Sequence, residues 1–474
     1  MTTKTTAKPP NASRDDTPDW LLRKYDVSAP RYTSYPSIPF WRPTTSEEVT
    51  GWLGEPSGTR DNSLSVYVHI PFCVSRCFYC GCNVVVTSKR EQATSYIEAL
   101  KTEMRLVRER TTLVPQESGL VRQFQLGGGT PTFITPDEMA DLVNTVRELY
   151  PFEAEPEMGI EIDPRTVNRN YLTRLRELGF NRISLGVQDF DSKVMGAVNR
   201  AQTFELVAEL MAHGRKLGFR SINFDLIYGL PEQREATFAR TLEQVRELAP
   251  DRLAIYNYAH LPRIFPYQRR FDPETLPGPE EKLALIQMAR RRLDEFGYHS
   301  IGMDHFALPG DDLAVAFREG SMRRNFMGYA TQAGTDQLAF GMSAISEFHR
   351  SFWQNEKKLI RYYRAVDEGR LPVVRGIRLN EEDLLRKQVI ENLFCRGGIE
   401  YEELRHRFGI EFKSYMACEL EALGSMEADG LVELNATGLQ VTARGQLFLR
   451  NISMVFDPYL RKEEGGSPQF SRAL

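Results

Sequence analysis

Ser63-Leu64-Ser65-Val66-Tyr67-Val68-His69-Ile70 runs straight into Pro71-Phe72-Cys73-Val74-Ser75-Arg76-Cys77-Phe78-Tyr79-Cys80-Gly81-Cys82. The first half alternates. Leu64, Val66, Val68 and Ile70 share one face and Ser65, Tyr67 and His69 the other, which is the period of a β-strand. The second half holds four of the six cysteines; Cys395 and Cys418 are far away. Cys73, Cys77 and Cys80 have the spacing C-x3-C-x2-C. A short loop with that spacing can wrap three thiolates around one face of a cubane iron–sulfur cluster. Such clusters normally take four cysteines, so three leave one iron open, and an open position is where a metal centre does chemistry. Two other readings stay open on spacing alone. Structural zinc usually takes two well-separated C-x2-C pairs. A closed electron-transfer cluster would need Cys82, which lies only two residues after Cys80, as its fourth ligand. A disulfide is disfavoured, because no signal-like segment precedes the loop.

Working outward, the strand-and-loop unit recurs. After the loop, Ala93, Ile97, Leu100, Met104 and Val107 keep helical spacing. Val121–Leu126 reads as a strand ending in Gly127-Gly128-Gly129-Thr130-Pro131. Its helix opens on a capping box, Thr135 with Glu138, and Pro136 at the first position. Strands follow over 158–163, 182–188, 222–226 and 253–259. Helices around Leu172–Leu178, 203–217 and 237–248 lie between them. Alternation of this kind predicts parallel βα units and an α/β fold. Six units suggest a partly open, TIM-like (βα)6 barrel. One face of each strand is aliphatic and the other small or polar, so the lumen suits a large polar ligand, unlike a packed eight-stranded barrel.

The flanks read differently. Residues 1–19 are polar and Pro-containing, a disordered tail and not a secretion signal, which suits the cytoplasm. Residues 20–60 form an N-terminal arm in which Pro30, Pro36, Pro39 and Pro43 preclude a regular helix over Trp20–Pro43. Its aromatics either pack on a core or form a lid with Arg31 facing an anionic substrate. The barrel is expected over 61–300. A loop-rich connecting segment that closes the active site is expected over 301–379. A small mainly helical domain with a short β wing is expected over 380–474. Helices near 381–394, 400–408 and 414–429, with strands 431–434 and 439–442, resemble a winged helix. With 474 residues and a net charge of −4, packing suits that domain better than DNA binding, and bulk nucleic acid is disfavoured as a partner. Hydrophobic content of 41% without a membrane-length run predicts no membrane span.

The cysteine loop after a strand, with an aromatic residue before the third cysteine, resembles the radical S-adenosylmethionine (SAM) enzymes. The fuller string HIPFC…CFYCGCN is similar to that of the oxygen-independent coproporphyrinogen III oxidases, or dehydrogenases. Further matches run from Pro30-Arg31-Tyr32-Thr33-Ser34-Tyr35-Pro36 to Phe456-Asp457. The resemblance implies a radical-SAM barrel carrying a 4Fe–4S cluster on Cys73, Cys77 and Cys80. The amino and carboxylate groups of SAM would chelate the fourth iron, and an electron would split SAM into methionine and a 5′-deoxyadenosyl radical. It also implies an oxidoreductase of heme (porphyrin) biosynthesis. Two propionates of coproporphyrinogen III would become vinyl groups, giving protoporphyrinogen IX with two SAM per turnover. The implied setting is a cytoplasmic monomer served by an electron donor such as flavodoxin or ferredoxin.

The same resemblance places Gly128, Gly129 and Thr130 at the amino group of SAM, and Tyr67, Tyr79 and Glu161 beside SAM. It places Gln188, Arg200, Asp225, Ala259 and Ile345 in a second SAM site. Packing remains an alternative for the tyrosines, and structural ion pairing for Arg200 and Asp225. Substrate propionates call for arginines; Arg31, Arg323 and Arg324 are the candidates. No role is assigned to Cys82, and no side chain is assigned as catalytic. The alternative function is a heme-binding chaperone relative, against which the arm around Arg31 and the Cys80-Gly81-Cys82-Asn83 string argue. A transcription regulator would need a basic recognition face that the wing lacks.

Overall fold

Leu64–Ile70 (β1) is followed by Val121–Gly128 (β2), Phe152–Ile162 (β3), Arg182–Gln188 (β4), Ser221–Tyr228 (β5) and Arg252–Asn257 (β6). Each pairs in parallel with the next. The helices between them are Glu91–Arg110 (α1), Pro136–Leu149 (α2), Arg169–Glu177 (α3), Phe204–Leu217 (α4) and Glu235–Leu248 (α5). The computed structural model describes residues 18–55, 63–111, 120–331, 336–461 and 470–472; the tail expected over 1–19 lies almost wholly outside them.

The local reasons for these elements are those read from the sequence. Thr135 accepts from the Glu138 amide while Glu138 reaches back to the Thr135 amide, so the capping box forms. The stripe Ala93, Ile97, Leu100, Met104 and Val107 of α1 is buried. Thr203 caps α4, and Gly218 ends it with φ +74°. Strand β6 does not pair with β1, so the barrel stays open.

The loop-rich reading of 301–379 is corrected. Asp336–Phe340 (β7) adds in parallel to the free edge of β1. Ile345–Phe348 (β8), Ser351–Asn355 (β9) and Val373–Arg378 (β10) then continue antiparallel. Every residue of β7 and β9 is buried. Strands covered on both faces show no alternation, which is why their period was invisible.

The chain forms two compact units, one of Arg42–Leu276 with Gly334–Arg378, the other of Met1–Trp41, Pro277–Ala333 and Leu379–Leu474. The second has its own core. Helices Glu381–Arg396, Tyr401–Phe408 and Ala417–Ala428 pack there with the arm residues Leu21, Tyr25, Tyr32 and Tyr35. The wing has a third strand, Gly398–Glu400, paired with Gly438–Val441, beside the expected two. The arm is helical over Asp19–Tyr25, ahead of Pro30, and again over Ser46–Leu53, past Pro43, where Thr45 and Glu48 form a capping box. The proline argument thus applies only from Pro30 to Pro43. Arg450 Nε donates to the Pro30 carbonyl at 3.0 Å and Tyr32 donates to Asp457 at 3.1 Å. Up to Trp41 the arm is therefore held by packing within the second unit, whereas Arg42 onward belongs to the first. Among the described residues no helix is long and apolar enough to cross a membrane.

Candidate active site

Cys73, Cys77 and Cys80 edge one cavity of about 660 Å3 at the C-terminal ends of the barrel strands. Phe72–Cys73 pairs with Val85–Val86, which folds the loop back on itself. Each sulfur has a different environment. Cys73 shares a hydrogen bond with the Thr130 hydroxyl at 3.3 Å, while burial pushes its thiol up to about 11. Cys77 is buried, with Arg200 Nη1 at 3.6 Å and Arg165 Nη2 at 3.8 Å. Cys80 accepts the Cys82 amide at 3.4 Å; contact with Cys82, then Arg76 and Arg200, lowers its thiol to about 7.

His69 and Tyr67 stand behind the loop. Burial drops the imidazole to about 4, so it is neutral. His69 Nε2 lies 3.1 Å from the Asn83 carbonyl and must donate to it; Nδ1 then accepts from Tyr67 at 3.2 Å. His69 thus fastens the far end of the cysteine loop to β1, and Tyr67, which sets its ring, is not among the residues lining the cavity. Tyr79 does line it, and its ring packs on the apolar group of Val194, Met195, Val198 and Tyr258.

The glycine run brings backbone to the cavity wall. Gly128 has φ +122°, and a Cβ there would lie 2.8 Å from the Ile70 carbonyl oxygen. A Cβ on Gly129 would lie 2.6 Å from the Pro71 carbonyl oxygen. Gly128 donates its amide to Glu161 at 3.1 Å, and Gly129 donates to Ile70. Glu161 faces the cavity while protein surrounds it, and burial, then Asp225, raises its carboxyl to about 7. A cation entering the cavity would find this carboxylate with one backbone donor and room on its other side.

Arg200 is buried. Nη1 donates to Asp163 at 3.0 Å and Nη2 to the Gly186 carbonyl at 2.7 Å, while Nε has no hydrogen-bond partner. Arg165 binds the same Asp163 oxygen at 2.7 Å. Gln188 takes φ +67° at an irregularity between β4 and β5. A Cβ on Gly186 would meet Gln188 Nε2 at 2.9 Å and Arg200 at 3.1 Å; the absent side chain makes room for both. The structure thus joins Gln188 and Arg200. Asp225 lines the same cavity and is paired in register with Gly186, its carboxylate accepting from Ser184 at 2.8 Å and Asn223 at 2.9 Å. Ala259 lines the cavity beyond the end of β6, which stops at Asn257, two residues earlier than expected. Ile345 begins β8 and is not among the lining residues.

Asp163, Arg165 and Ser184 line the cavity and were missed in the sequence. The signal for the first two was Asp163-Pro164-Arg165 directly after β3, because βα loops at strand ends carry function in such folds. Arg31, Arg323 and Arg324 belong to the other unit. Arg31 pairs with Asp304 at 2.6 Å and Arg323 with Glu391 at 3.5 Å. Arg324 lies over the Tyr329 and Phe394 rings.

These residues fit a thiolate-bound cluster. Among the described residues no group of three His, Cys, Asp or Glu converges on a single metal ion. The loop cysteines are instead spread along a roomy cavity, with guanidinium groups against Cys77 that suit sulfur carrying negative charge. The backbone approach at Gly128 and Gly129 and the carboxylate of Glu161 suit a ligand that carries an ammonium group.

Residues 67–245 match the Radical SAM superfamily and residues 379–448 the HemN C-terminal domain. The chain is 44% identical over 459 residues to the oxygen-independent coproporphyrinogen III oxidase of Salmonella typhimurium, covering 96% of this chain and 99% of the relative. It is 42% identical to that of Pseudomonas aeruginosa over 455 residues, covering 94% and 97%. The solved structure of coproporphyrinogen III oxidase (HemN) from Escherichia coli, described as a radical SAM enzyme, superposes with a TM-score of 0.88. That match has 42% identity and covers 93% of this chain and 99% of the other. The open α/β barrel, the cysteine loop on its cavity and likeness along nearly the whole length agree, and the chain belongs to the oxygen-independent coproporphyrinogen III oxidase family of radical SAM proteins.

Proposed function

We propose that the protein converts two propionate side chains of coproporphyrinogen III to vinyl groups, giving protoporphyrinogen IX in anaerobic heme biosynthesis. At each propionate a hydrogen atom leaves the β-carbon, the carboxylate leaves as CO2, and one electron passes to an acceptor. The 4Fe–4S cluster and SAM, when bound, supply the electron and the hydrogen-abstracting species. The observation that carries this reading is the cysteine loop on an open cavity, in a chain 44% identical over 96% of its length to relatives bearing that name.

The chain's own residues hold, orient and exclude. Cys73, Cys77 and Cys80 are the cluster ligands. Gly128, Gly129 and Thr130 form the wall against which the amino group of one SAM rests, with Glu161 as its carboxylate partner and Tyr67 and Tyr79 supporting that site. Gln188, Arg200, Asp225, Ala259 and Ile345 are assigned to a second SAM. The buried Arg200 Nε, without a partner, favours a polar ligand on that side. A monomer, a cytoplasmic setting and a protein electron donor complete the reading.

Anaerobic reconstitution with iron and sulfide, followed by assay of 5′-deoxyadenosine with and without coproporphyrinogen III, tests it. Substrate-dependent formation of protoporphyrinogen IX is expected. Tight heme binding without turnover would overturn it.

A further inference from the structure

The loop that carries the cysteines has an outer face that the chemistry above does not use. From Val74 to Arg90 there is no carboxylate, while Arg76, Lys89 and Arg90 are cationic. A second acid-free run, Lys357 to Ala365, carries Lys357, Lys358, Arg361 and Arg364. The fold brings the two together, because Asn83 Nδ2 donates to the Lys357 carbonyl at 3.0 Å. Acids enter only at the ends of these runs, at Glu91, Glu356 and Asp367. Lys89, Lys357, Lys358, Arg361 and Arg364 are exposed and, among the described residues, none is paired with a carboxylate. Elsewhere on the surface, exposed guanidinium groups do find partners, as in Arg169–Glu209 and Arg378–Glu55. Positive charge is thus concentrated here, in a chain of net charge −4.

Three exposed apolar side chains lie in these two runs, Val74, Val86 and Ile360. Val86 is 45% exposed and pairs in register with Cys73. Ile360 is 68% exposed. An apolar contact within a cationic collar suits brief, steered docking of an acidic macromolecule, since charge speeds encounter and the apolar spot sets the contact. The site needs a partner that comes close to the cysteines, delivers one electron and leaves. Complexes of that kind are small and transient.

Resting on the radical-SAM reading above, we propose that Val86 and Ile360, with Lys89, Lys357, Lys358 and Arg361 around them, form the docking surface for an acidic one-electron donor protein. The electron would pass from the reduced donor to the oxidised cluster on the Cys73 side; no atom is transferred.

The test uses the reconstituted full chain and the triple variant Lys89→Glu, Lys358→Glu, Arg361→Glu, with Val86→Asp as a second variant. Two readouts are taken: affinity for flavodoxin by titration, and 5′-deoxyadenosine formation driven by either dithionite or reduced flavodoxin. The triple variant should bind flavodoxin at least about tenfold more weakly at low ionic strength and lose most of its salt dependence. Val86→Asp should weaken binding with the salt dependence kept. Both should match the parent when dithionite supplies the electron. Unchanged flavodoxin binding in the triple variant would overturn the proposal. So would an equal loss with dithionite, which would place these cations in the reaction itself. Retained flavodoxin binding with lost affinity for a single-stranded RNA would reassign the surface to nucleic acid. If the parent fails to cleave SAM with dithionite, the function reading falls, and the binding titration still decides the docking surface.

Discussion

Arg200 Nη1 lies 3.6 Å from the sulfur of Cys77, 123 residues away in sequence. The same nitrogen donates to Asp163 at 3.0 Å. One guanidinium therefore links the cysteine loop, the end of β3 and, through Gly186, the end of β4. Replacing Arg200 by Ala should lower thermal stability, because breaking a buried pair strands a charge, at a cost of about 3 kcal/mol or more. Arg165 remains on Asp163 and keeps the loss toward the lower end. Conversion of coproporphyrinogen III should fall further than stability predicts, and Arg200→Lys should recover the melting temperature better than the product. Melting curves beside product assays decide it; parental activity in Arg200→Ala would remove Arg200 from the second SAM site.

Replacing any one of Cys73, Cys77 or Cys80 by Ser should abolish cluster assembly. Three ligands on an open cluster leave none to spare, and Cys82 follows Cys80 by only two residues, too close to replace a lost ligand on the same cluster. Iron content and visible absorption after anaerobic reconstitution should both be near zero. Cys395→Ser and Cys418→Ser should retain both signals. A Cys77→Ser protein with a full cluster that cleaves SAM would sink the ligand assignment.

Glu161→Gln keeps the shape and removes the charge. The Gly128 amide still has an oxygen to meet, so the fold should persist within about 1 kcal/mol. SAM should then perturb the spectrum of the reduced cluster at least about tenfold less effectively, the scale of one charge-assisted hydrogen bond. Equal perturbation in variant and parent would make Glu161 structural.

Glu103 supplies a test of stability that is separate from the chemistry. It is buried on α1 and accepts from the Gly341 amide at 2.8 Å, Asn355 at 2.6 Å and Tyr362 at 2.6 Å. Burial outweighs these donors and raises its carboxyl from the ordinary 4.5 to about 7. A raised carboxyl binds its proton more tightly when folded. Its contribution is complete below about 4.5, declines as pH rises and is lost above about 7. Urea unfolding of the parent should show this fall between about pH 4.5 and 7, and Glu103→Gln should flatten it. Glu103→Ala should cost about 3 kcal/mol or more by leaving three donors unmatched.

Much of this protein was legible in its sequence, because the deciding signals are local. Alternation in Leu64–Ile70, the capping box at Thr135 and the helical stripe of α1 each span a few residues and form wherever the chain goes. The spacing of Cys73, Cys77 and Cys80 is likewise local, because one loop must reach one object. The tertiary structure decided what depends on meetings across the chain. Strand β7 is buried on both faces and has no period of its own; only the free edge of β1 makes it a strand. Arg200 reads in the sequence as either a ligand-binding arginine or half of an ion pair, and only the fold brings Asp163, Gly186 and Cys77 around it. Glu103 meets Gly341 across 238 residues, and Asn83 meets Lys357 across 274. No periodicity encodes such pairs, since they are set by how sheet and helices close on one another, and burial there fixes which charges are paired and which stay open to a partner.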